Sequence, residues 1–513
     1  MAGRNVIPNN NHTNPDQTAT TDQSSPGSSE DSFHSATETL PTPIPNTTNF
    51  KHLIATIHQS QPNDDSEAQE TDALLDGHEV VEDQNVHIPT GSLGSSFLSV
   101  SNTILGTGML AMASIYYFHP SAIASLGVGL GAIMITVSAT FAAVGLTMLV
   151  SCAHKMGIPY RRTSSFFTIA QATYPAAAKW FDAAVAVKCF GVSVSYLFIV
   201  GDLMPKVVSG FAPTTPQDAF YATKLYWISI GVALIATPAF FRDLSSLRYT
   251  SMIALSSVAY LVVLVVTLAF KPLDGMPHRM KWEDIVWFKM DVKFFTALPI
   301  LVFAFTCHQN ILTVYNELLG NTPKRMSMVI CSAVPMAFSI YQVIGITGYV
   351  TFGPDVKSNI IANYPTNSPF VTGGQLAIAI LVLVSYPLQI HPARASLDRI
   401  IGRRVDPTSP IPALRFTVLT TVLVLSGYLL AVSVKSLGSI LAFVGATGST
   451  TICYILPGLL YHRLMLNMDP EKSVWARRAA FGMAGLGLVI MIACLAGQMV
   501  PHGGDVAPHF FTY

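Results

Sequence analysis

The chain has 513 residues, half of them hydrophobic and only 11% of them charged, with a formal net charge of zero. Soluble domains carry roughly a quarter charged residues, so the composition excludes a soluble globular protein and places most of the chain in lipid. The basic residues are scattered through short loops, which argues against a nucleic-acid-binding surface.

Residues 1–88 form an acidic, polar tail that differs from the rest of the chain. They contain 14 Asp and Glu residues against two basic ones, Arg4 and Lys51, and few apolar clusters. Such a segment cannot bury enough apolar surface to offset the entropy of ordering it. We therefore predict a disordered tail. Because it has no basic-plus-apolar signal peptide, the first span is expected to direct membrane insertion.

One short pattern in this tail resembles an acidic dileucine signal, by which cytosolic tails direct membrane proteins to vacuoles or lysosomes. The residues are Glu70, Leu74 and Leu75, in the run Glu-Thr-Asp-Ala-Leu-Leu. A six-residue pattern also arises by chance in acidic tails, and that interpretation stays open. A working signal would make a sorting adaptor a partner of the tail.

Eleven apolar segments follow, each close to the roughly 20 residues that a membrane-spanning helix needs. We predict an all-α polytopic membrane protein, with a transmembrane domain over 89–503 and a short luminal or extracellular tail over 504–513. The predicted spans are 92–112, 126–152, 181–205, 225–241, 249–270, 294–316, 326–352, 371–391, 413–434, 436–462 and 479–500.

The loops between the spans predict the orientation, because Lys and Arg are enriched in cytosolic loops. The loops on the side of the acidic tail carry more Lys and Arg than the opposite loops, so the tail is predicted to be cytosolic. The main exception is the loop 271–293. Its run Lys-Trp-Glu-Asp-Ile-Val-Trp-Phe, residues 281–288, predicts an amphipathic helix at the membrane interface.

The first span contains a polar, glycine-rich stretch at mid-membrane depth, which includes Asn102, Gly106, Thr107 and Gly108. Backbone leaves a helix inside a membrane only where it lines a cavity or is buried in protein. A broken helix offers N–H groups and a positive dipole end that suit a carboxylate, and carbonyl groups that suit a cation. We predict a ligand site here, with close helix packing at the two glycines as the alternative.

The sixth span is the second candidate for an interrupted helix. Pro299 and Phe303 precede a polar run from Thr306 to Asn310, which includes His308 and would be costly against lipid. Paired broken helices in corresponding positions of two halves indicate a transport site. Spans one and six correspond if spans 1–5 and 6–10 form an inverted repeat. A continuous polar helix inside the bundle is the alternative.

Further polar residues inside spans are candidates for binding a coupling ion or a proton. Ser385 in the eighth span would add an oxygen ligand to that of Asn102, or it bonds to its own helix. Lys188 in the third span is a candidate for proton transfer unless its side chain reaches the interface. His308 titrates near neutral pH and suits proton coupling or a structural hydrogen bond. Asp182 is interpreted as an interfacial residue.

The six cysteines lie in apolar stretches or at their edges, and no CxxC pair occurs. Buried cysteine behaves as a small hydrophobic residue, so we expect no structural disulfide and no metal site. A membrane enzyme is the least favoured function class, because no compact cluster of His, Asp, Glu or nucleophilic residues lies on one membrane face.

Seven stretches together resemble one known family: Asn102–Met112, Phe190–Pro205, Arg242–Ser251, Pro299–Leu318, Gly348–Gly353, Tyr386–Ile400 and Val444–Leu460. They are similar to the amino acid/auxin permease family, and most of all to its fungal vacuolar amino-acid transporters, relatives of the sodium-coupled neutral amino-acid transporters. The resemblance covers about 90–500 in order. It implies eleven spans in a leucine-transporter-like 5+5 inverted repeat plus one peripheral helix.

The resemblance also implies roles for the residues of the two interruptions. The substrate carboxylate is implied to meet the first break, at Leu105, Gly106, Thr107 and Gly108. The ammonium group is implied to face the backbone between Phe303 and Thr306, with His308 and Asn102 in the same binding region. Positions matching Asn102 and Ser385 hold the cation in the sodium-coupled relatives.

The function implied is secondary active transport of amino acids, neutral or of broad range, from vacuole to cytosol by alternating access. Vacuolar members are thought to use protons, so H⁺ is the expected coupling ion and Na⁺ the alternative; no cofactor is implied. The expected location is the vacuolar membrane, with the plasma membrane as the alternative. An amino-acid sensor of the same fold that signals through its N-terminal tail is the alternative function.

One departure from the family pattern follows the first break. Deleting Ala113–His119 restores the usual continuation from the Gly-Met-Leu motif. We interpret these seven residues as an insertion, either genuine or produced by a misplaced exon boundary. Seven residues turn a helix by about 700°, so a genuine insertion would keep the helical phase and shift the exit from the first span by about 10 Å.

Overall fold

The computed structural model is helical throughout most of the residues that it describes. These residues are 91–106, 108–110, 112, 127–157, 162–214, 216, 219–242, 247–277, 279–288, 294–353, 356–357, 359–366, 368–402, 411–468 and 474–499. The α-helices are α1 (Leu93–Ile104), α2 (Gly127–Lys155), α3 (Phe166–Thr173), α4 (Ala178–Phe211), α5 (Lys224–Ala239), α6 (Leu247–Phe270), α7 (Phe294–Ala304), α8 (His308–Glu317), α9 (Pro323–Phe352), α10 (Pro369–Ser385), α11 (Pro387–Ile401), α12 (Ala413–Ser433), α13 (Leu437–Val444), α14 (Leu456–Met468) and α15 (Val474–Met499).

Nine helical stretches in the described part of the chain are long and apolar enough to cross a membrane. The prediction of an all-helical polytopic membrane protein is therefore confirmed. The two other predicted spans contain shorter helices, the 12-residue α1 and the 16-residue α5. α1 is short because its helix stops at Ile104 and helical backbone resumes only at Gly108.

Burial separates central spans from peripheral ones. In the most apolar 18-residue window of the span formed by α7 and α8, 94% of the residues are buried, against 28% in the corresponding window of α15. Large apolar side chains such as Val489 and Ile492 are exposed along α15. Exposed apolar surface of this kind suits contact with lipid. The interrupted sixth span therefore lies inside the bundle, and α15 lies at its edge.

The 34-residue helix α4 is the main packing partner of α5, α11 and α12, and α10 packs on both α4 and α6. A second set of contacts joins α9 to α1 and to α2. Both sets meet the interrupted sixth span. α8 packs on α2 and α1, and α7 packs on α13, which itself packs on α4. The interruptions are thus held between helices that run the full thickness of the bundle.

A buried ion pair ties the start of α4 to the end of α11. The Arg399 guanidinium donates to both carboxylate oxygens of Asp182, at 2.8 and 3.0 Å, and the Ser396 hydroxyl donates to the same carboxylate at 3.0 Å. The Asp182 side chain is 1% exposed. Asp182 lies near the start of α4, and its charge is compensated inside the protein; its predicted position at the membrane interface stays a prediction.

The predicted amphipathic helix over residues 281–288 is not formed. The backbone there makes one 3-10 turn, Trp282–Asp284, and then runs extended. Its carbonyl oxygens accept hydrogen bonds from the first amides of α2: Val128 N–H donates to Val286 at 2.9 Å, and Gly129 N–H to Trp287 at 2.9 Å. Capping the unpaired N–H groups at the start of α2 competes with helix formation in this segment.

The entry to α1 is joined to the end of α8 by main-chain hydrogen bonds. Gly91 N–H donates to the Glu317 carbonyl at 3.0 Å, and Leu319 N–H donates to the Gly91 carbonyl at 2.8 Å. A Cβ atom at position 91 would lie 2.7 Å from the Glu317 oxygen. Only glycine permits this approach, so the first and sixth spans are linked at this end without side chains.

We predict that Arg399→Met strongly destabilises the protein. It leaves the Asp182 carboxylate buried without its cation, and breaking a buried ion pair in this way costs about 3–5 kcal/mol. The measurement is thermal unfolding of the purified protein in detergent. The double variant Asp182→Asn/Arg399→Met removes the stranded charge and should recover most of the loss. A double variant no more stable than Arg399→Met would contradict the prediction.

Candidate functional site

The first predicted break is present, and it is buried. α1 ends at Ile104, the Leu105 N–H donates to the Ser101 carbonyl at 2.9 Å, and helical backbone resumes at Gly108. Asn102 and Leu105 are 2% and 1% exposed. Thr107, which was also predicted for this site, lies outside the described residues. The described backbone at the break is therefore enclosed by protein, as an unwound segment at this depth requires.

The second predicted break is present in the sixth span. α7 ends at Ala304, residues Phe305–Cys307 leave the α-helix, and α8 begins at His308. The Thr306 N–H donates to the Phe303 carbonyl at 3.0 Å, which makes a tight turn between the two half-helices. No side chain caps the start of α8. The Asn310 N–H donates to the Cys307 carbonyl at 3.0 Å, and the start of α8 carries the positive dipole end of a helix.

Tyr341, in the middle of α9, joins the two breaks. Its hydroxyl lies 2.6 Å from the Ile104 carbonyl oxygen and 2.8 Å from the Ala304 carbonyl oxygen. These are the last residues of α1 and α7, whose carbonyls have lost their helical donors. A phenolic hydroxyl has one hydrogen, so it donates to one of the two carbonyls at a time.

Gly108 brings the breaks into direct contact. A Cβ atom at this position would lie 2.7 Å from the Cα of Ala304 and 3.0 Å from its Cβ. Gly106 faces a different neighbour: a Cβ atom there would lie 2.9 Å from the Tyr196 hydroxyl on α4. The two glycines of the motif therefore serve different contacts, one with the sixth span and one with the third.

A second polar contact connects the first break to the eighth span. The Ser385 hydroxyl donates to the Asn102 amide oxygen at 3.0 Å, and the Asn102 amide nitrogen donates to the Ser251 hydroxyl at 3.2 Å. All three residues are at most 2% exposed. Ser385 is the last residue of α10, and Tyr386 separates it from α11. The structure thus brings the two predicted ion ligands together and adds Ser251, on α6.

The side chains of Thr306 and His308 meet elsewhere, at Cys453. The Thr306 hydroxyl lies 3.1 Å from the Cys453 sulfur, and His308 Nδ1 lies 3.2 Å from the same sulfur. Thr306 also donates to the Val302 carbonyl at 2.8 Å. Cys453 lies in the second of two π-helical segments between α13 and α14, Gly445–Ser449 and Thr451–Ile455. Such segments are frequent at functional sites.

Several buried polar atoms near the breaks have no hydrogen-bond partner among the described residues. They include both amide atoms of Gln309, in the first turn of α8, and the hydroxyl of Ser101, in the last turn of α1. Buried polar groups are normally paired. Unpaired donors and acceptors beside two helix breaks are what a small polar ligand would satisfy.

The sequence did not indicate the roles of Tyr341, Ser251 and Cys453. Ser251 closes the stretch Arg242–Ser251 that carries part of the family resemblance, so that motif was a usable signal. Cys453 likewise lies in the stretch Val444–Leu460 of that resemblance, whereas Tyr341 stands in an apolar segment where no local pattern marks it. The sorting residues Glu70, Leu74 and Leu75 and the stretch Ala113–His119 lie outside the described residues.

Comparisons with known proteins show the family and the fold of this chain. Residues 89–500 match the family model described as transmembrane amino acid transporter protein. Vacuolar amino acid transporter 5 of Schizosaccharomyces pombe is 37% identical over 426 residues, covering 80% of this chain and 95% of that protein. Vacuolar amino acid transporter 6 of Saccharomyces cerevisiae is 34% identical over 459 residues, covering 80% and 99%. The crystal structure of MhsT in complex with L-phenylalanine shares the fold, with a TM-score of 0.51 at 11% identity over 80% of this chain and 99% of MhsT.

We predict that Tyr341→Phe loosens both breaks. Without the hydroxyl, the two buried carbonyls lose the one donor that they share, and an unsatisfied buried acceptor costs about 1–3 kcal/mol. Hydrogen–deuterium exchange should therefore speed up at the ends of α1 and α7. The matched control is Tyr349→Phe on the same helix, whose hydroxyl instead accepts from Val286 N–H at 3.3 Å. If the rate of hydrogen–deuterium exchange at the ends of α1 and α7 were the same in Tyr341→Phe and Tyr349→Phe, the prediction would be contradicted.

Proposed function

This chain belongs to the transmembrane amino acid transporter family, and from that premise we propose that it is a secondary active transporter of neutral or broad-range amino acids across the vacuolar membrane. Because the family consists of transporters, the chain is not an enzyme. The proposed direction is from vacuole to cytosol, coupled to H⁺. The proposed site lies between the break after α1 and the break between α7 and α8, and it is exposed to each side in turn.

The observation that carries the site proposal is the meeting of two buried helix breaks at Tyr341. The C-terminal ends of α1 and α7 present carbonyl oxygens and a negative dipole end, which favours an ammonium group. Helical backbone resumes at Gly108 after the first break, and N–H groups at the start of a helix favour the substrate carboxylate that the family resemblance implies there. An amino acid carries both groups on one carbon atom, so its zwitterion matches a site with both dipole ends.

Individual residues take the following proposed roles. Leu105, Gly106, Thr107 and Gly108 contact the substrate through main-chain atoms, and Phe303 and Thr306 line the opposite break. The unpaired Gln309 amide supports a polar ligand at the start of α8. His308 remains a candidate, although its Nδ1 faces Cys453. Among the described residues, no arginine or acidic side chain is identified at the two breaks that would select a charged substrate, which supports a neutral or broad range.

A coupling-ion site is proposed at Asn102 and Ser385, whose neutral amide and hydroxyl oxygens suit a metal cation rather than a proton. Their 3.0 Å contact and the additional Ser251 hydroxyl form a buried oxygen-rich cluster across three spans. Hydroxyl and amide oxygens are ligands for hard cations, so Na⁺ is the alternative to H⁺. The proposed architecture is eleven spans in a 5+5 inverted repeat, with α1 and α5 counted as spans and α15 as the peripheral helix.

The transport proposal is tested in lipid vesicles that contain the purified full-length protein. We expect labelled neutral amino acids to accumulate when the compartment they leave is made acidic, because the proton then moves down its gradient with the substrate. Replacing the pH gradient by a sodium gradient distinguishes coupling to H⁺ from coupling to Na⁺. Specific binding without gradient-dependent flux would contradict the transporter and favour the sensor alternative.

Gly108→Ala provides the matching site test. Its methyl group would meet the Ala304 backbone, and overpacking of this kind costs about 1–3 kcal/mol, so we expect transport to fall by about tenfold or more. Gly94→Ala is the control on the same span, because a Cβ atom there lies 3.8 Å from its nearest neighbour. Unchanged transport by Gly108→Ala would remove the first break from the mechanism.

The vacuolar location is proposed to depend on the cytosolic tail, with Glu70, Leu74 and Leu75 bound by a sorting adaptor. We expect the double variant Leu74→Ala/Leu75→Ala to appear at the plasma membrane, because the adaptor loses its apolar contacts. Fluorescence microscopy of the tagged full-length protein measures this. Normal vacuolar location of the double variant would reject the signal, whereas plasma-membrane location of the wild type would reject the vacuolar assignment.

A further inference from the structure

A lysine lies buried in the middle of α4. Lys188 is 2% exposed, and it lies ten residues, or about 15 Å of helix, from Ala178 at the start of α4. The hypothesis that its side chain reaches the interface is therefore wrong. Lys206, near the other end of the same helix, has the exposure and the counter-charge that a lysine usually has. Its side chain is 32% exposed and pairs with Asp202 at 3.4 Å.

Lys188 has one weak hydrogen bond and no counter-charge within reach. Its amine lies 3.4 Å from the Gln389 amide oxygen. No carboxylate of a described residue lies within 4.0 Å of it. Gly448 packs against it so tightly that a Cβ atom there would lie 2.7 Å from the Lys188 Cβ. The amine is therefore held in a closed, uncharged environment.

The titratable groups around Lys188 come from three spans. Cys189 is on α4 itself, Cys307 and His308 are at the break of the sixth span, and Cys453 is in the π-helical segment before α14. A thiol and a neutral imidazole carry no negative charge to offset an ammonium. A buried unpaired charge is costly, so the amine is stable here without its proton and gains one only when water or a counter-charge reaches it.

Lys188 is connected to the proposed transport site. Gln389, its hydrogen-bond partner, is in the first turn of α11, just past the interruption that follows Ser385. The Tyr196 hydroxyl lies beside Gln389 and also faces Gly106, where a Cβ atom would approach it to 2.9 Å. A short series of polar groups thus runs from the amine to the first helix break.

We propose that Lys188 is the proton-binding group of the transport cycle. When the site opens to the acidic side, the lone pair of the Lys188 amine accepts a proton and the amine becomes an ammonium. When the site opens to the cytosol, the same N–H bond breaks and the proton passes to water, so one positive charge crosses with each zwitterionic substrate. This inference rests on the proposed function and assigns the proton to Lys188 rather than to His308, whose Nδ1 faces Cys453.

The test compares pH-driven uptake with amino-acid exchange in vesicles that contain the full-length protein. Amino-acid exchange needs no net proton movement, because the transporter returns across the membrane with a second amino acid bound and its proton still in place. Lys188→Met removes the titrating group, whereas Lys188→Arg keeps a permanent charge. Both are expected to lose the stimulation of uptake by an imposed pH gradient, with the ratio of uptake with and without the gradient falling to unity. Lys188→Met is expected to keep exchange.

Lys206→Met is the matched control, because it removes a lysine from the same helix and should retain both exchange and pH-driven uptake. Retained pH stimulation in Lys188→Met would overturn the inference and leave the proposed transporter intact. Absence of amino-acid flux in the wild type would overturn the proposed function and this inference together.

If Lys188→Met does not catalyse amino-acid exchange, a measurement on the wild-type protein tests the inference instead. The protein is treated with a small amine-reactive reagent, with and without amino acid, and labelling of each lysine is quantified by peptide mass spectrometry. Only a neutral, water-accessible amine reacts, so we expect labelling of Lys188 that changes when amino acid is added, and labelling of Lys206 that does not. Lys188 that is never labelled, or is labelled independently of amino acid, would overturn the inference.

Discussion

The structure depends on one constraint: main-chain polar groups inside a membrane have no water with which to bond. Each helix break leaves carbonyl groups without a donor, and two such breaks lie together near the centre of the bundle. Tyr341 is placed where one hydroxyl serves both Ile104 and Ala304. Since one hydrogen cannot satisfy two acceptors at once, the breaks keep unused acceptor capacity that a bound ammonium group can take up.

The remaining polar contacts divide between holding the scaffold and lining the site. Asp182, Arg399 and Ser396 lock α4 to α11 with a fully compensated charge. Asn102, Ser251 and Ser385 are neutral, and their contacts of 3.0 and 3.2 Å connect three different spans at the first break. A buried ion pair therefore fixes α4 to α11, whereas neutral contacts lie at the first break, where the proposed alternating-access cycle would move the spans.

Local signals in the sequence predicted the breaks but not their partners. Gly106, Gly108 and the polar run after Phe303 are short-range features, and the interruptions fall where those features lie. Tyr341 contacts a residue 237 positions away, and no local pattern tells which tyrosine of an apolar helix will face it. The π-helical segments around Cys453 differ from α-helix in hydrogen-bond register, which composition does not encode. The interfacial helix failed because residues 281–288 cap α2 instead.

The bridge between Gly91 and the end of α8 has a chemical consequence of its own. Its hydrogen bonds use only main-chain atoms, so substitutions of the Glu317 or Leu318 side chains leave the contact in place, whereas any side chain at position 91 removes it. Salt screens charges, and protons act on titratable groups; this contact contains neither. The interaction that holds the entry to α1 therefore does not depend on pH or ionic strength. It breaks only when α1 itself is displaced.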